Sequence, residues 1–272
     1  MKFTNKIAVI TGAASGIGRA TTRALIERDI GVVAAVDRNE IIHQLARETN
    51  DKYGREVAIP FVGDVTCDDF RRSVFKEIKE RFGAVHICIP AAGITRDALA
   101  VRRNKETGQI ETYSREQLEE VFKINLVAPI LWAMDSVASL AEHRFGQGKK
   151  RWSPEEGMQG AIVFIGSVSS AGNKGQISYA AAKAGLEGAQ ATLSKEAIFY
   201  GVRCSIIHPG FTDTPMVRML GDEYIEKNIL PFTQLRRLLR PDEIADAICF
   251  MLTNSAVSGS VWVDAGWHPA AG

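Results

Sequence analysis

The sequence predicts an α/β fold, a doubly wound parallel sheet of about seven strands with helices on both faces. Three observations carry this. Short apolar runs, often β-branched, recur along the whole chain; longer amphipathic segments stand between them; and no repeat or shift in composition breaks the alternation. Strands buried on both faces read as continuous apolar runs, as parallel sheets require. Right-handed crossovers then place helices on both faces.

The elements follow in order. Ile7–Ile10 is the first run, followed by a glycine-rich turn and a helix over Gly18–Arg28. Gly31–Val36 and Ala58–Val62 are the next two, the latter leading into Gly63-Asp64-Val65. Val85–Ile89, Ala161–Ile165, Arg203–Ile207 and Ser260–Val263 complete the strands. Helical patterns cover Asp68–Arg81, Arg115–Ala141, Ser178–Tyr200 and Pro241–Leu252. Two polar stretches interrupt the pattern. Residues 102–114 contain Glu106-Thr107-Gly108-Gln109, a turn or small hairpin; residues 143–160 hold four glycines and one proline. Both read as surface insertions. The whole of 1–272 is expected to form a single domain.

The 272 residues are 46% hydrophobic, enough for one sizeable core, and carry 33 Lys+Arg against 32 Asp+Glu. That balance leaves no broad basic field for nucleic acid or a membrane surface. Cys67, Cys88, Cys204 and Cys249 are scattered with no CxxC pair, so neither a metal site nor a disulfide framework is expected. The first apolar run is too short for a signal segment or a membrane span. A cytoplasmic protein is the expectation.

Thr11-Gly12-Ala13-Ala14-Ser15-Gly16-Ile17-Gly18 joins the first strand to the first helix. Glycines there let backbone approach a pyrophosphate, and the helix N-terminus favours its charge. This strand–turn–helix context makes the sheet Rossmann-type. Asp37, ending the second strand, can accept both ribose hydroxyls of an adenosine and would repel a 2′-phosphate, which favours NAD over NADP. Arg38 follows and argues the other way. Asp64-Val65 ends the third strand, where Asp64 either meets the adenine or caps a helix.

Tyr179 and Lys183 are i and i+4 on one helical face. A phenol titrates near ~10, and a nearby ammonium stabilises its phenolate. Ser167, after the fifth strand, can hold a carbonyl oxygen while Tyr179 moves the proton, with Ser169 and Ser170 as competing choices. Asn125 lies in an apolar helical stretch and needs a partner, either a water shared with Lys183 or an ordinary core contact.

Together these residues resemble the short-chain dehydrogenase/reductase family over nearly the whole chain. The matching set is Thr11-Gly12-xxx-Gly16-x-Gly18, Asp37, Asp64, Asn125, Ser167, Tyr179-xxx-Lys183, Pro209-Gly210 and Val263-Asp264-Ala265-Gly266. Several segments, among them Ala92-Gly93-Ile94-Thr95-Arg96-Asp97 and Arg240-Pro241-Asp242-Glu243-Ile244-Ala245, look most like 3-oxoacyl-[acyl-carrier-protein] reductases. The resemblance implies Tyr179 as general acid/base and Ser167 as carbonyl anchor. Lys183 would bind the nicotinamide ribose, and Asn125 would complete a water relay. Pro209, Gly210 and Thr212 would lie along the nicotinamide. It also implies a homotetramer or homodimer paired through helices at Arg115–Ala141 and Ser178–Tyr200. Two departures stand out: Pro90-Ala91-Ala92-Gly93 replaces Asn-Asn-Ala-Gly, and Asp264-Ala265-Gly266 replaces Asp-Gly-Gly. Backbone contacts from Ala91 and Ala92 survive the first change; side-chain ones do not.

The expected activity is hydride transfer between NAD and a small-molecule secondary alcohol or ketone, with a 3-oxoacyl thioester as one possible substrate. Residues 211–232, loop-like and rich in Met and Leu, are expected to form an apolar substrate lid. Two rivals are another chemistry on the same scaffold, such as epimerisation or dehydration, and a non-catalytic NAD-binding regulator or scaffold. The second is expected to lose Ser, Tyr or Lys; all three are present.

Overall fold

The computed structural model describes residues 1–267. Seven parallel strands lie in the order β3-β2-β1-β4-β7-β8-β9. They are β1 (Ile7–Thr11), β2 (Val32–Asp37), β3 (Ala58–Val62), β4 (Ile87–Pro90), β7 (Gly160–Ile165), β8 (Val202–Pro209) and β9 (Gly259–Val263). The order reverses at β1, between β2 and β4. That reversal is the switch point where an open α/β sheet leaves a crevice beyond its carboxyl ends.

Side chains along each strand alternate between two cores. Ala8 and Ile10 of β1 join one core with Leu25 of α1 (Gly16–Glu27) and Ile244 and Ile248 of α9 (Pro241–Thr253). Ile7 and Val9 join the other with Ile78 of α3 (Asp68–Phe82), Trp132 of α5 (Ala128–Gly146) and Leu186 of α6 (Ile177–Ala197). Each of the Ile, Leu and Val side chains among these stabilises the fold by about 1.5–3 kcal/mol through burial. The Trp132 indole also donates to the Val65 carbonyl at 2.9 Å, which fixes the loop after β3.

The helix α2 (Ile41–Tyr53) is absent from the sequence expectation. Its buried residues are Ile42 and Ala46 alone, too thin a stripe to register as a periodic pattern. Helix α4 (Arg115–Phe122) passes through a π-helical turn, Lys123–Val127, into α5. The run Arg115–Gly146 is long and apolar enough by composition to cross a membrane. Here Val121, Trp132, Ala133 and Leu140 are buried, the last three in the core beneath the sheet.

Residues 102–114 form a hairpin of β5 (Val101–Arg103) and β6 (Ile110–Thr112). Its base is latched: the Tyr113 hydroxyl donates to the Arg96 carbonyl at 2.6 Å and lies 2.8 Å from Ser178 Oγ. Residues 143–160, expected as a surface insertion, are not loose. Helix α5 runs on to Gly146, and Arg144, 1% exposed, grips Glu156 with two hydrogen bonds of 3.0 Å. Residues 211–232 are not loop-like either. They hold α7 (Pro215–Arg218), α8 (Asp222–Asn228) and a 3₁₀ turn at Leu230–Phe232, with Ile225 and Ile229 packed on Leu238.

Burial pushes the Cys88 thiol up to about 12 and the Cys249 thiol up to about 11, and raises Cys204 as well, while Cys67 is exposed. No cluster of metal-ligating side chains occurs among the described residues.

Candidate active site

The crevice at the switch point opens into a cavity of about 510 Å³. Gly12, Ser15, Gly16, Ile17 and Gly18 form one wall. Gly12 (φ +67°) and Gly16 (φ +52°) take left-handed backbone that a side chain disfavours. A Cβ on Gly12 would lie 2.9 Å from the Ala92 Cα, and one on Gly18 only 2.2 Å from the Gly12 carbonyl oxygen. The turn therefore works only with bare backbone, which leaves helix N-terminal amides open to an anion. The Asp37 carboxylate borders the same cavity, accepting from the Ala14 and Asn39 amides at 3.0 and 2.9 Å. Asp64 and Val65 line it too. Asp64 Oδ1 accepts from the Thr66 amide and hydroxyl, which holds its pKa below the usual carboxylate value.

Ala91, Ala92 and Gly93 form the opposite rim. Pairing of β4 with β7 covers Ile87 and Cys88 and stops before Pro90, which has no N–H to donate. Pairing with β1 continues through Pro90, so the sheet parts on the β7 side only. The Ala92 amide donates to the buried Thr11 hydroxyl at 3.1 Å, a backbone brace where the family pattern has asparagine side chains.

Lys183, 5% exposed, donates from Nζ to the Ile165 carbonyl at 2.7 Å and stands 5.6 Å from the Tyr179 ring centroid. Burial lowers its pKa to about 8. Tyr179 is only partly buried, yet desolvation of its phenol lifts its pKa to about 12, opposed by the Ser167 hydroxyl beside it. Ser167 has extended backbone just beyond β7, and its Oγ accepts from the Ser169 amide at 3.0 Å. Ser169 instead donates to Gln176 Oε1, and Ser170 lies 3.4 Å from His208 Nδ1. Of the three hydroxyls, Ser167 is the one beside the phenol.

A second, smaller cleft of about 80 Å³ is lined by Ser167, Gly210, Phe211, Val217 and the edge of Thr95–Asp97. Tyr179 and Met216 line both cavities.

Three residues of the expected set line neither cavity. Asn125 is wholly buried, and its side chain accepts from the Ile94 amide at 2.9 Å and donates to the Ile94 carbonyl at 2.7 Å. It braces the rim through Ile94. Thr212, 3% exposed, donates to the Gly210 carbonyl and lines neither cavity; Thr214, Pro215 and Met216 take that wall. Pro209 is buried in β8 and also lines neither.

Sequence reasoning missed Lys123, Asp97, Gln176 and His208. His208 is fully buried, stacked on Trp262 at 4.3 Å, with Nδ1 3.3 Å from the Ser167 amide. A polar residue inside the run Ser205-Ile206-Ile207-His208 was a usable signal. Gly166 makes room for it, since a Cβ there would lie 2.5 Å from His208 Nδ1.

A family model described as short chain dehydrogenase matches residues 6–225. The chain is 32% identical over 264 residues to 3-oxoacyl-[acyl-carrier-protein] reductase FabG of Thermotoga maritima, covering 96% of each chain. It is 31% identical to carbonyl reductase family member 4 of Danio rerio, covering 94% of this chain and 95% of the relative. A solved short-chain type dehydrogenase/reductase from Mycobacterium marinum shares the fold, with a TM-score of 0.81 at 22% identity over 98% of this chain and 97% of the other.

Proposed function

Because the chain belongs to the short-chain dehydrogenase family and is FabG-like, we propose that it is an NAD-dependent oxidoreductase interconverting a ketone and a secondary alcohol. One observation carries the reading: Tyr179 stands in the wall shared by a nucleotide-sized cavity and a small cleft that also holds Ser167.

The nucleotide cavity fits a nicotinamide dinucleotide on its own geometry. Its turn admits no Cβ at Gly12 or Gly18, and Asp37 stands at the end suited to a ribose. Gly12, Ser15, Gly16, Ile17 and Gly18 would hold the pyrophosphate. Asp37, Asp64 and Val65 would hold the adenosine, and Ala91, Ala92, Gly93 and Lys183 the nicotinamide half. Such a cofactor supplies or accepts the hydride.

The chain's own residues handle the proton and the oxygen. Ser167 donates to the carbonyl oxygen, since its Oγ lone pair is already engaged by the Ser169 amide and its hydrogen is free to turn into the cleft. Tyr179, its phenol lifted to about 12 by desolvation, is protonated at neutral pH and gives its proton to the forming alkoxide. Lys183 below its pKa of about 8 is an ammonium close to the ring, and that charge eases the return of the phenol to phenolate. Asn125 acts by fixing Ile94 on the rim. The helices of 211–232 close over the small cleft as a lid, with Met216, Val217 and Leu220 facing it. Exposed Val127, Met134 and Phe199 on the α4–α5 run and after α6 support pairing of subunits through those helices.

The cofactor assignment rests on Asp37. The protein is expected to oxidise NADH faster than NADPH during ketone reduction, by roughly tenfold or more in kcat/KM. Asp37→Ser should shrink that ratio by raising the NADPH rate. A wild-type preference for NADPH would overturn the assignment.

A further inference from the structure

The small cleft has two unlike walls. Val168, Phe211, Val217 and Leu220 make one side apolar, whereas Thr95, Asp97 and Gln176 make the other polar. Apart from Tyr179, Asp97 is the sole ionisable group among the described residues of its lining.

The polar wall is oriented by a chain of hydrogen bonds with one consistent direction. The Asn173 side-chain amide and the Ser169 hydroxyl both donate to Gln176 Oε1, at 3.0 and 2.8 Å. That fixes which end of the Gln176 amide is oxygen. Gln176 Nε2 must then face the other way, and it donates to Asp97 Oδ2 at 2.9 Å. The segment carrying Asp97 is pinned beside it, with the Ala98 amide donating to the Gly175 carbonyl at 2.9 Å. The second oxygen of Asp97 takes no bond from the described residues. Asp97 is exposed, so water serves that oxygen, and a ligand donor in the cleft can take the water's place.

Building on the oxidoreductase reading, we propose that Asp97 is a specificity-determining residue. It selects a ketone that carries a hydrogen-bond donor, hydroxyl or ammonium, on an otherwise apolar skeleton, and turns away ketones bearing a carboxylate or phosphate. The donor meets the open Asp97 oxygen while the skeleton lies on Phe211 and Val217. An anionic group at the same place meets the Asp97 charge and finds no cation among the described lining residues to offset it. Desolvation raises the pKa of Asp97, in keeping with a carboxylate that gains from an added donor.

The test compares ketones on one skeleton: cyclohexanone, 4-hydroxycyclohexanone and 4-oxocyclohexanecarboxylate. Each is reduced with NADH and with NADPH by the wild-type protein and by Asp97→Asn. Wild type should favour the hydroxyketone over the oxocarboxylate by roughly tenfold or more in kcat/KM, the scale of one partly screened charge contact. Asp97→Asn keeps an oxygen for Gln176 Nε2 and removes the charge, and the ratio should fall toward one. Because the readout is a ratio within each protein, a general loss of activity cancels. The wild-type ordering stands as a test even if the variant fails to fold. A wild-type preference for the oxocarboxylate, or a ratio unchanged by Asp97→Asn, overturns the role of Asp97 and leaves the oxidoreductase reading in place. Wild-type failure to reduce any of a broad panel of ketones with either nucleotide overturns both.

Discussion

Tyr179→Phe is expected to lower the turnover of ketone or alcohol by roughly 10²–10⁴-fold, the usual contribution of a positioned acid/base group. NADH binding, followed by its fluorescence, should persist, because the phenyl ring still fills the shared wall and Lys183 still rests on the Ile165 carbonyl. The pH profile sharpens the point. Desolvation holds the phenol near 12, so the protonated form that ketone reduction needs is complete across neutral pH. Reduction should be flat there and fall on the alkaline side. Alcohol oxidation needs the phenolate, so its rate should climb with pH. Both slopes should vanish in Tyr179→Phe. A variant that turns over like wild type with both slopes intact would remove Tyr179 from the chemistry.

Gly18→Ala is the second large effect. Its new Cβ would sit 2.2 Å from the Gly12 carbonyl oxygen and 2.7 Å from the carbonyl carbon. Those atoms are backbone and cannot swing aside, so the turn must open and the first amides of α1 shift. Overpacking of this kind costs about 1–3 kcal/mol of stability, and nucleotide binding should weaken by at least an order of magnitude, since ångström-scale misplacement of positioning groups costs about that much or more. Gly54→Ala is the control. Gly54 has φ +62° but nothing within 4 Å of an added Cβ, so it tests backbone strain without collision. It should cost about 1 kcal/mol and leave nucleotide binding alone. Denaturant unfolding and NADH titration of both variants make the comparison. Wild-type affinity in Gly18→Ala would mean that the turn does not cradle the ligand.

The strands were legible because a sheet buried on both faces writes itself as apolar runs; all seven stand within a residue or two of their expected bounds. Helix α2 was not, because it lies on the sheet through Ile42 and Ala46 alone. The hairpin at 102–114 announced itself by a Thr-Gly turn, but its latch through Tyr113 to Ser178 joins residues far apart in the chain, which no local pattern reveals. The same holds for Arg144 and Glu156, whose pairing turns a polar glycine-rich stretch into a docked one. Within the candidate site, Tyr179 and Lys183 come together because helical spacing puts them there. Asp97, Gln176 and His208 escaped because their roles depend on which loops the sheet brings side by side.

The uneven burial of the four thiols has a practical use. Cys88, Cys204 and Cys249 are walled into the core, with thiols made harder to ionise, whereas Cys67 faces water immediately before α3. Its amide is tied to the Asp64 carbonyl at 3.0 Å, and neighbouring Thr66 lines the nucleotide cavity. A maleimide dye added to the native protein should therefore attach at one place on the rim of that cavity. Its emission would then report nucleotide arrival in real time, with no residue replaced. Labelling at more than one position by mass spectrometry would show that the core thiols are reachable after all.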